Sequence, residues 1–148
     1  MKYSNQTFTL AATLLLPCLS QAPERPNIIF IMSDDHAVKA VSAYGSELVQ
    51  TPNIDRIAAG GMRFNRAYAA NPLCGPSRAT MLTGMHSHSN GFYSNEWSGP
   101  FDGEQQTRPK LLQGADYQNA VIGKWHLYSD PVGFTHWEVI DNQMEQGT

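Results

Sequence analysis

The chain has 148 residues, enough for one domain at most, and its 41 % hydrophobic and 16 % charged content is that of an ordinary globular protein rather than a disordered one. Ten Lys+Arg against thirteen Asp+Glu give a net charge of −3. With no basic run anywhere, the chain is not expected to bind nucleic acid, and an anionic substrate would have to be met by a few placed cations rather than by a general field.

Residues 1–22 read as a signal peptide. Lys2 supplies a thin positive start, residues 8–16 (FTLAATLLL) form a short apolar core, Pro17 breaks it, and Ser20 and Ala22 are the small residues a signal peptidase reads. The apolar stretch is too short to span a bilayer, so no transmembrane segment is expected. The expectation is export, periplasmic or extracellular. Two other readings remain: lipoprotein anchoring through Cys18, which the adjacent Pro17 disfavours, and a buried N-terminal helix. Cleavage after Ala22 would leave Cys74 as the one cysteine, a thiol with no internal disulfide partner.

Arg25-Pro26 leads into residues 27–32 (NIIFIM), an unbroken apolar run of strand length that is expected to be covered on both faces, as in a parallel sheet under helices. It ends in Ser33-Asp34-Asp35-His36. Residues 51–61 predict a short helix, with Thr51 to cap it, Pro52 at its first position and Gly60 or Gly61 to stop it. Residues 62–69 alternate and predict a strand. Pro76 opens a second helix that runs to Thr83-Gly84. Residues 86–102, rich in Ser, Asn, Gly and aromatics without a sustained period, read as a long surface loop of the kind that binds something. Thr107-Arg108-Pro109 starts a third helix that stops near Gly114. Residues 119–122 predict a second buried strand ending at Gly123-Lys124-Trp125-His126. Alternating strands and short helices indicate an α/β fold, a largely parallel sheet flanked by helices.

In open α/β sheets, ligands sit beyond the carboxyl ends of the strands. Three polar clusters fall near such places. Asp34-Asp35 pairs two carboxylates that repel unless a cation or proton relieves them, and such hard oxygen donors suit calcium or magnesium; a solvated acidic turn is the plainer alternative. Cys74-Gly75-Pro76-Ser77-Arg78 places a cysteine before a helix N-terminus, where unpaired N–H groups and the dipole welcome an anion, with Arg78 one turn in. The plainer alternative is a buried structural cysteine. Lys124 and His126, two apart on an extended segment, can face one oxyanion together, although such a pair at a strand end is often surface decoration.

In this order, the three clusters resemble the sulfatase family, whose fold is that of the alkaline phosphatase superfamily. The likeness runs from Arg25-Pro26-Asn27 to about Glu138, and Cys74-Gly75-Pro76-Ser77-Arg78 with Leu82-Thr83-Gly84 carries its specificity. The resemblance implies that a dedicated maturation enzyme oxidises Cys74 to formylglycine. It implies that Asp34, Asp35 and residue 74 hold Ca2+, that Arg78 holds the hydrated aldehyde, and that Lys124 and His126 hold the sulfate ester, so that Cys74, Arg78, Lys124 and His126 are the catalytic group. A hydroxyl of the hydrated aldehyde would attack sulfur and displace the alcohol. A narrower likeness, carried by residues 85–92, 101–103 and 129–134, is to bacterial sulfatases of sulfated glycans, some of which remove 6-O-sulfate from N-acetylglucosamine. His86 or His88 would then line the sugar pocket, or be an ordinary loop histidine.

The likeness also has gaps. Met85 stands where many members have Arg after Thr-Gly. Further family ligands, an Asp followed by Asn, Gln or His and another His and Lys, have no counterpart here, and Asp141-Asn142 comes too soon to supply them. The expectation is therefore a domain of residues 23–148 that is the N-terminal portion of a sulfatase, incomplete at the C-terminus and inactive alone. Two alternatives stay open: a non-catalytic gene fragment or remnant, and a phosphoryl hydrolase of the same superfamily.

Overall fold

The computed structural model describes residues 25–96 and 98–140. The expected signal peptide, Cys18 and Asp141-Asn142 lie outside the described residues.

The chain divides after Ser33. In the first unit, the described residues 25–33 form neither helix nor strand, and Ile28, Ile29, Phe30, Ile31 and Met32 are exposed. The strand expected at 27–32 is therefore not formed. A strand exists only through the ladder it makes with a neighbour, and among the described residues no strand pairs with this one.

The second unit begins with two 3-10 turns, Val38–Ala40 and Ser42–Tyr44. Helix α1 (Pro52–Gly60) starts on proline as predicted. Thr51 stands at its N-cap position, but the hydroxyl makes no capping bond there. It bonds instead to Asp55 Oδ1 at 3.1 Å and accepts from the Ser42 N–H at 3.0 Å, so it ties the preceding turn to the helix. The strand expected at 62–69 is absent; these residues are exposed and irregular, with no ladder partner to reward their alternation. Helix α2 (Cys74–Thr83) begins two residues before Pro76 and ends at Gly84, whose φ of 70° puts it in the left-handed region while its N–H bonds Thr80 O at 2.8 Å.

The segment expected to be a surface loop is partly core. It contains the four-residue helix α3 (Ser87–Asn90), and Asn90, Phe92 and Phe101 are buried. Helix α4 (Arg108–Gly114) follows as predicted. Strand β1 (Ala120–Lys124) pairs in parallel with β2 (His136–Ile140), in a register that sets Ala120 opposite His136 and Lys124 opposite Ile140. Burial of β1 is one-sided: Ile122 is 73 % exposed, whereas Val121 and Val139 pack on the core. The core itself is Ala79 of α2 with Phe92, Phe101, Trp125 and Leu127, joined by Leu82 and Phe134. It presses α2 against the chain leaving β1, which brings the start of the helix beside the carboxyl end of the strand. Among the described residues, no helix is long and apolar enough to cross a membrane.

Candidate active site

Helix α2 presents Cys74 at its first turn because Leu73 is extended (φ −89°, ψ 152°) and the helix closes with Ser77 N–H to Leu73 O at 2.9 Å. The Cys74 thiol donates to Asp34 Oδ1 across 3.7 Å. The other oxygen of that carboxylate accepts from Lys124 Nζ at 2.7 Å. One turn into the helix, Arg78 donates through a guanidinium nitrogen to the main-chain carbonyl of Lys124 at 2.6 Å. Asp34, Cys74, Arg78 and Lys124 thus form one contiguous group, assembled from three separate stretches of chain.

Its electrostatics follow from the Lys124–Asp34 pair. The hydrogen bond from Lys124, helped by the charges of Lys124 and Arg78, holds the Asp34 carboxyl below its ordinary 3.8 against a smaller opposing effect of burial. The same bond raises Lys124 above its ordinary 10.5. Both are charged at neutral pH, and Asp34 remains about half exposed, its side chain at 47 %. Arg78 Nε is buried without a hydrogen-bond partner among the described residues, which leaves one donor of its guanidinium uncommitted.

Other expected site residues are placed differently. Asp35 follows Asp34 in the left-handed region (φ 50°), and its side chain makes no hydrogen bond or ion pair among the described residues. His126 also has a positive φ, 59°, so Lys124 and His126 are not two steps along one extended strand; the extended path that holds through Lys124 breaks at His126 itself. The period-two argument for their common direction therefore fails. His126 meets the site through its backbone, since a Cβ on Gly75 would lie 2.9 Å from the His126 carbonyl oxygen. Its ring lies 6.0 Å from that of Tyr128. His86 and His88 stack with ring centroids 5.7 Å apart. Ser87 between them accepts from Asn71 Nδ2 at 3.1 Å, which ties them to the approach to α2. No hydrogen bond or ion pair joins either imidazole to Asp34, Cys74 or Lys124 among the described residues.

Comparison with known proteins gives the family. A sulfatase family model matches residues 26–139. The chain belongs to the sulfatase family. It is 57 % identical over 141 residues to the N-acetylglucosamine-6-O-sulfatase of Bacteroides thetaiotaomicron, covering 93 % of this chain and 25 % of that protein. It is 40 % identical over 151 residues to the N-acetylgalactosamine-6-sulfatase of Rattus norvegicus, covering 86 % of this chain and 29 % of the relative. Among solved structures, a protein in complex with its substrate D-glucosamine-2-N,6-O-disulfate superposes with a TM-score of 0.78 at 59 % identity, covering 83 % of this chain and 24 % of that one. Ps i-CgsB superposes at 0.70 with 35 % identity, over 78 % and 28 % of the two chains. The chain therefore spans about a quarter of the length of these relatives. The α/β, alkaline-phosphatase-like sulfatase fold is confirmed by these superpositions.

The residues missed by sequence reading are the ones that buttress this group of side chains. Asn71 donates to Ser87 and to the Tyr93 carbonyl, both at 3.1 Å, and Asn95 accepts from the Gly75 N–H at 2.9 Å. Each acts across sixteen or more positions. The polar richness of residues 86–102 was the one local signal for Asn95, and Asn71 had none.

Proposed function

We propose that this chain supplies one side of the active site of a sulfuric ester hydrolase acting on sulfated amino-sugar glycans, with 6-O-sulfated N-acetylglucosamine as the substrate. The observation that carries the reading is the contact of one carboxylate, Asp34, with both Cys74 and Lys124, while Arg78 binds the Lys124 carbonyl. The likeness to an N-acetylglucosamine-6-O-sulfatase supports the substrate class.

The donors suit calcium rather than a softer ion, because they are carboxylates. The 3.7 Å between Asp34 Oδ1 and the residue 74 side chain lets an oxygen there serve the same ion. Asp34, Asp35 and an oxidised residue 74 would hold it. Among the described residues, no group of three or more His, Cys, Asp or Glu forms a cage, and calcium takes about six to eight oxygens, so these residues are one face of the ion's shell. When bound, calcium supplies positive charge beside the oxygen of residue 74. Formylglycine, which a maturation enzyme would make from Cys74, would in its hydrated form supply the attacking hydroxyl; the second hydroxyl would then collapse to the aldehyde and expel sulfate.

The chain's own groups do the rest. Arg78, with Nε uncommitted, holds the oxygen-bearing side chain of residue 74 toward the substrate. Lys124 meets the sulfate oxygens as a point charge and shares the negative charge that grows as the S–O bond breaks. His126, at the turn after the strand, serves the leaving oxygen, which departs as the alcohol once protonated. Export, with residues 1–22 removed, belongs to the same proposal and rests on the apolar core at 8–16 and the small residues at 20 and 22.

The test is a mass measurement of the peptide containing residue 74, together with sulfate release from N-acetylglucosamine 6-sulfate with and without a calcium chelator. A mass below that of the cysteine peptide and chelator-sensitive release are expected. Release by a protein still carrying cysteine at 74 would defeat the formylglycine route, and no release from the full-length matured protein would defeat the reading entirely.

A further inference from the structure

Helix α2 starts without a local cap. Leu73 at its N-cap position has no side-chain acceptor, and no side-chain capping bond is made from there. The first N–H groups of a helix need acceptors from elsewhere. Gly75 N–H finds one twenty residues later, in Oδ1 of Asn95 at 2.9 Å. The main-chain carbonyl of Asn95 in turn accepts from the Tyr128 hydroxyl, and the Tyr128 ring lies 6.0 Å from that of His126.

Asn95 is itself held on a preformed turn. Ser98 Oγ accepts from the Tyr93 N–H at 2.7 Å and the Ser94 N–H at 2.8 Å, and donates to Ser94 O at 3.0 Å. Around the peptide that follows Cys74, the packing is tight: a Cβ at Gly75 would lie 2.6 Å from Phe92 Cε1, 2.9 Å from His126 O and 3.2 Å from Asn95 Oδ1. Three stretches of chain, at 75, 95 and 126–128, therefore close on one peptide unit.

We propose that Asn95 is a positioning residue for the reaction at residue 74: its amide oxygen fixes the 74–75 peptide, and through the Tyr128 bond it locks that peptide to the turn carrying His126. The proposal rests on the sulfatase reading given above. Its physical basis is the reach of a short side chain. The Cys74 side chain leaves a backbone whose next peptide is pinned by Asn95, so a rotation of that peptide would carry residue 74 away from Asp34, 3.7 Å distant. Asn95 touches neither Asp34 nor Lys124; it acts through the backbone.

The test separates positioning from folding and from the reaction itself. In isotope-labelled protein, amide exchange at Gly75 is compared for the unaltered chain, Asn95→Ala and Asn95→Asp, beside the thermal unfolding midpoint of each. Asn95→Ala is expected to speed Gly75 exchange by about fivefold or more, the change one net hydrogen bond carries, and Asn95→Asp, which keeps an acceptor, to restore most of the protection. In the matured full-length protein, Asn95→Ala is expected to lower kcat for N-acetylglucosamine 6-sulfate with KM little changed, and Asn95→Asp to recover it. Unchanged Gly75 exchange in Asn95→Ala would overturn the proposal, as would a common fall in unfolding midpoint for both variants with no recovery in Asn95→Asp. Absence of sulfate release from the unaltered protein would instead strike the sulfatase reading, because the exchange measurement needs no turnover.

Discussion

Lys124 Nζ lies 2.7 Å from Asp34 Oδ2 although ninety residues of chain separate them. This pair closes the candidate site: it joins the acidic turn before the first 3-10 segment to the carboxyl end of β1, with Cys74 held against the remaining carboxylate oxygen.

The pair defines a pH window. Asp34 is held below 3.8, so its contribution to stability is fully present above that value and is lost as pH falls through the lower folded value. Lys124 is raised above 10.5, so its contribution is fully present below that value and is lost as pH rises through the higher folded value. The bond is therefore expected to hold from about pH 4 to beyond pH 10. An NMR titration of the Asp34 carboxyl carbon checks this: its midpoint should lie below 3.8 in the unaltered chain and move upward in Lys124→Met. No movement in that variant would contradict the assignment of Lys124 as the main cause.

Arg78 has a structural duty besides any catalytic one. Its guanidinium donates to the Lys124 carbonyl at 2.6 Å and so ties α2 to the end of β1. Arg78→Ala is expected to lower unfolding stability by about 1.5–3 kcal/mol, the range for hydrogen bonds from charged groups. Arg78→Lys should recover only part of it, because an ammonium cannot reproduce the planar fork. Urea unfolding of the three proteins measures the difference.

Gly75 is required for space rather than for its φ. Gly75→Ala would bring a methyl group to 2.6 Å from Phe92 Cε1 and 2.9 Å from the His126 carbonyl oxygen. The Phe92 ring can yield, whereas the carbonyl belongs to the backbone. A loss of about 1–3 kcal/mol is expected, as for other overpacked positions, and Phe92→Leu added to Gly75→Ala should relieve only part of it. Denaturant midpoints of the single and double variants decide.

Phe92 is 1 % exposed and belongs to the same core cluster as Ala79 of α2 and Leu127 beyond β1. Phe92→Ala is expected to cost about 3–5 kcal/mol, more than any single polar change in the site. A calorimetric or urea measurement that found Phe92→Ala near neutral would mean that this segment is not part of the core.

The chain's own order of residues determined whatever depends on near neighbours. Pro52 and Pro109 mark helix starts, Gly84 marks a stop, and Cys74-Gly75-Pro76-Ser77-Arg78 puts a thiol and a guanidinium one turn apart on a single helix, which starts two residues ahead of Pro76. Those rules act within a few residues, where backbone geometry dominates, and they were legible in advance. Tertiary structure decided everything that needs a partner from elsewhere. Residues 27–32 and 62–69 have strand-like patterns but no ladder among the described residues, because a pattern cannot supply the neighbouring strand. The unpromising run at 86–102 turned inward because Phe92 and Phe101 found Ala79, Trp125 and Leu127 to pack on. His126 left the extended path of β1 at a left-handed residue, and Thr51 spent its hydroxyl on Asp55 rather than on the helix it precedes. Asn95 met Gly75 only because the core holds the start of α2 beside the turn after β1. Contacts over twenty to ninety residues are set by how whole elements pack, and no local window of sequence contains that information.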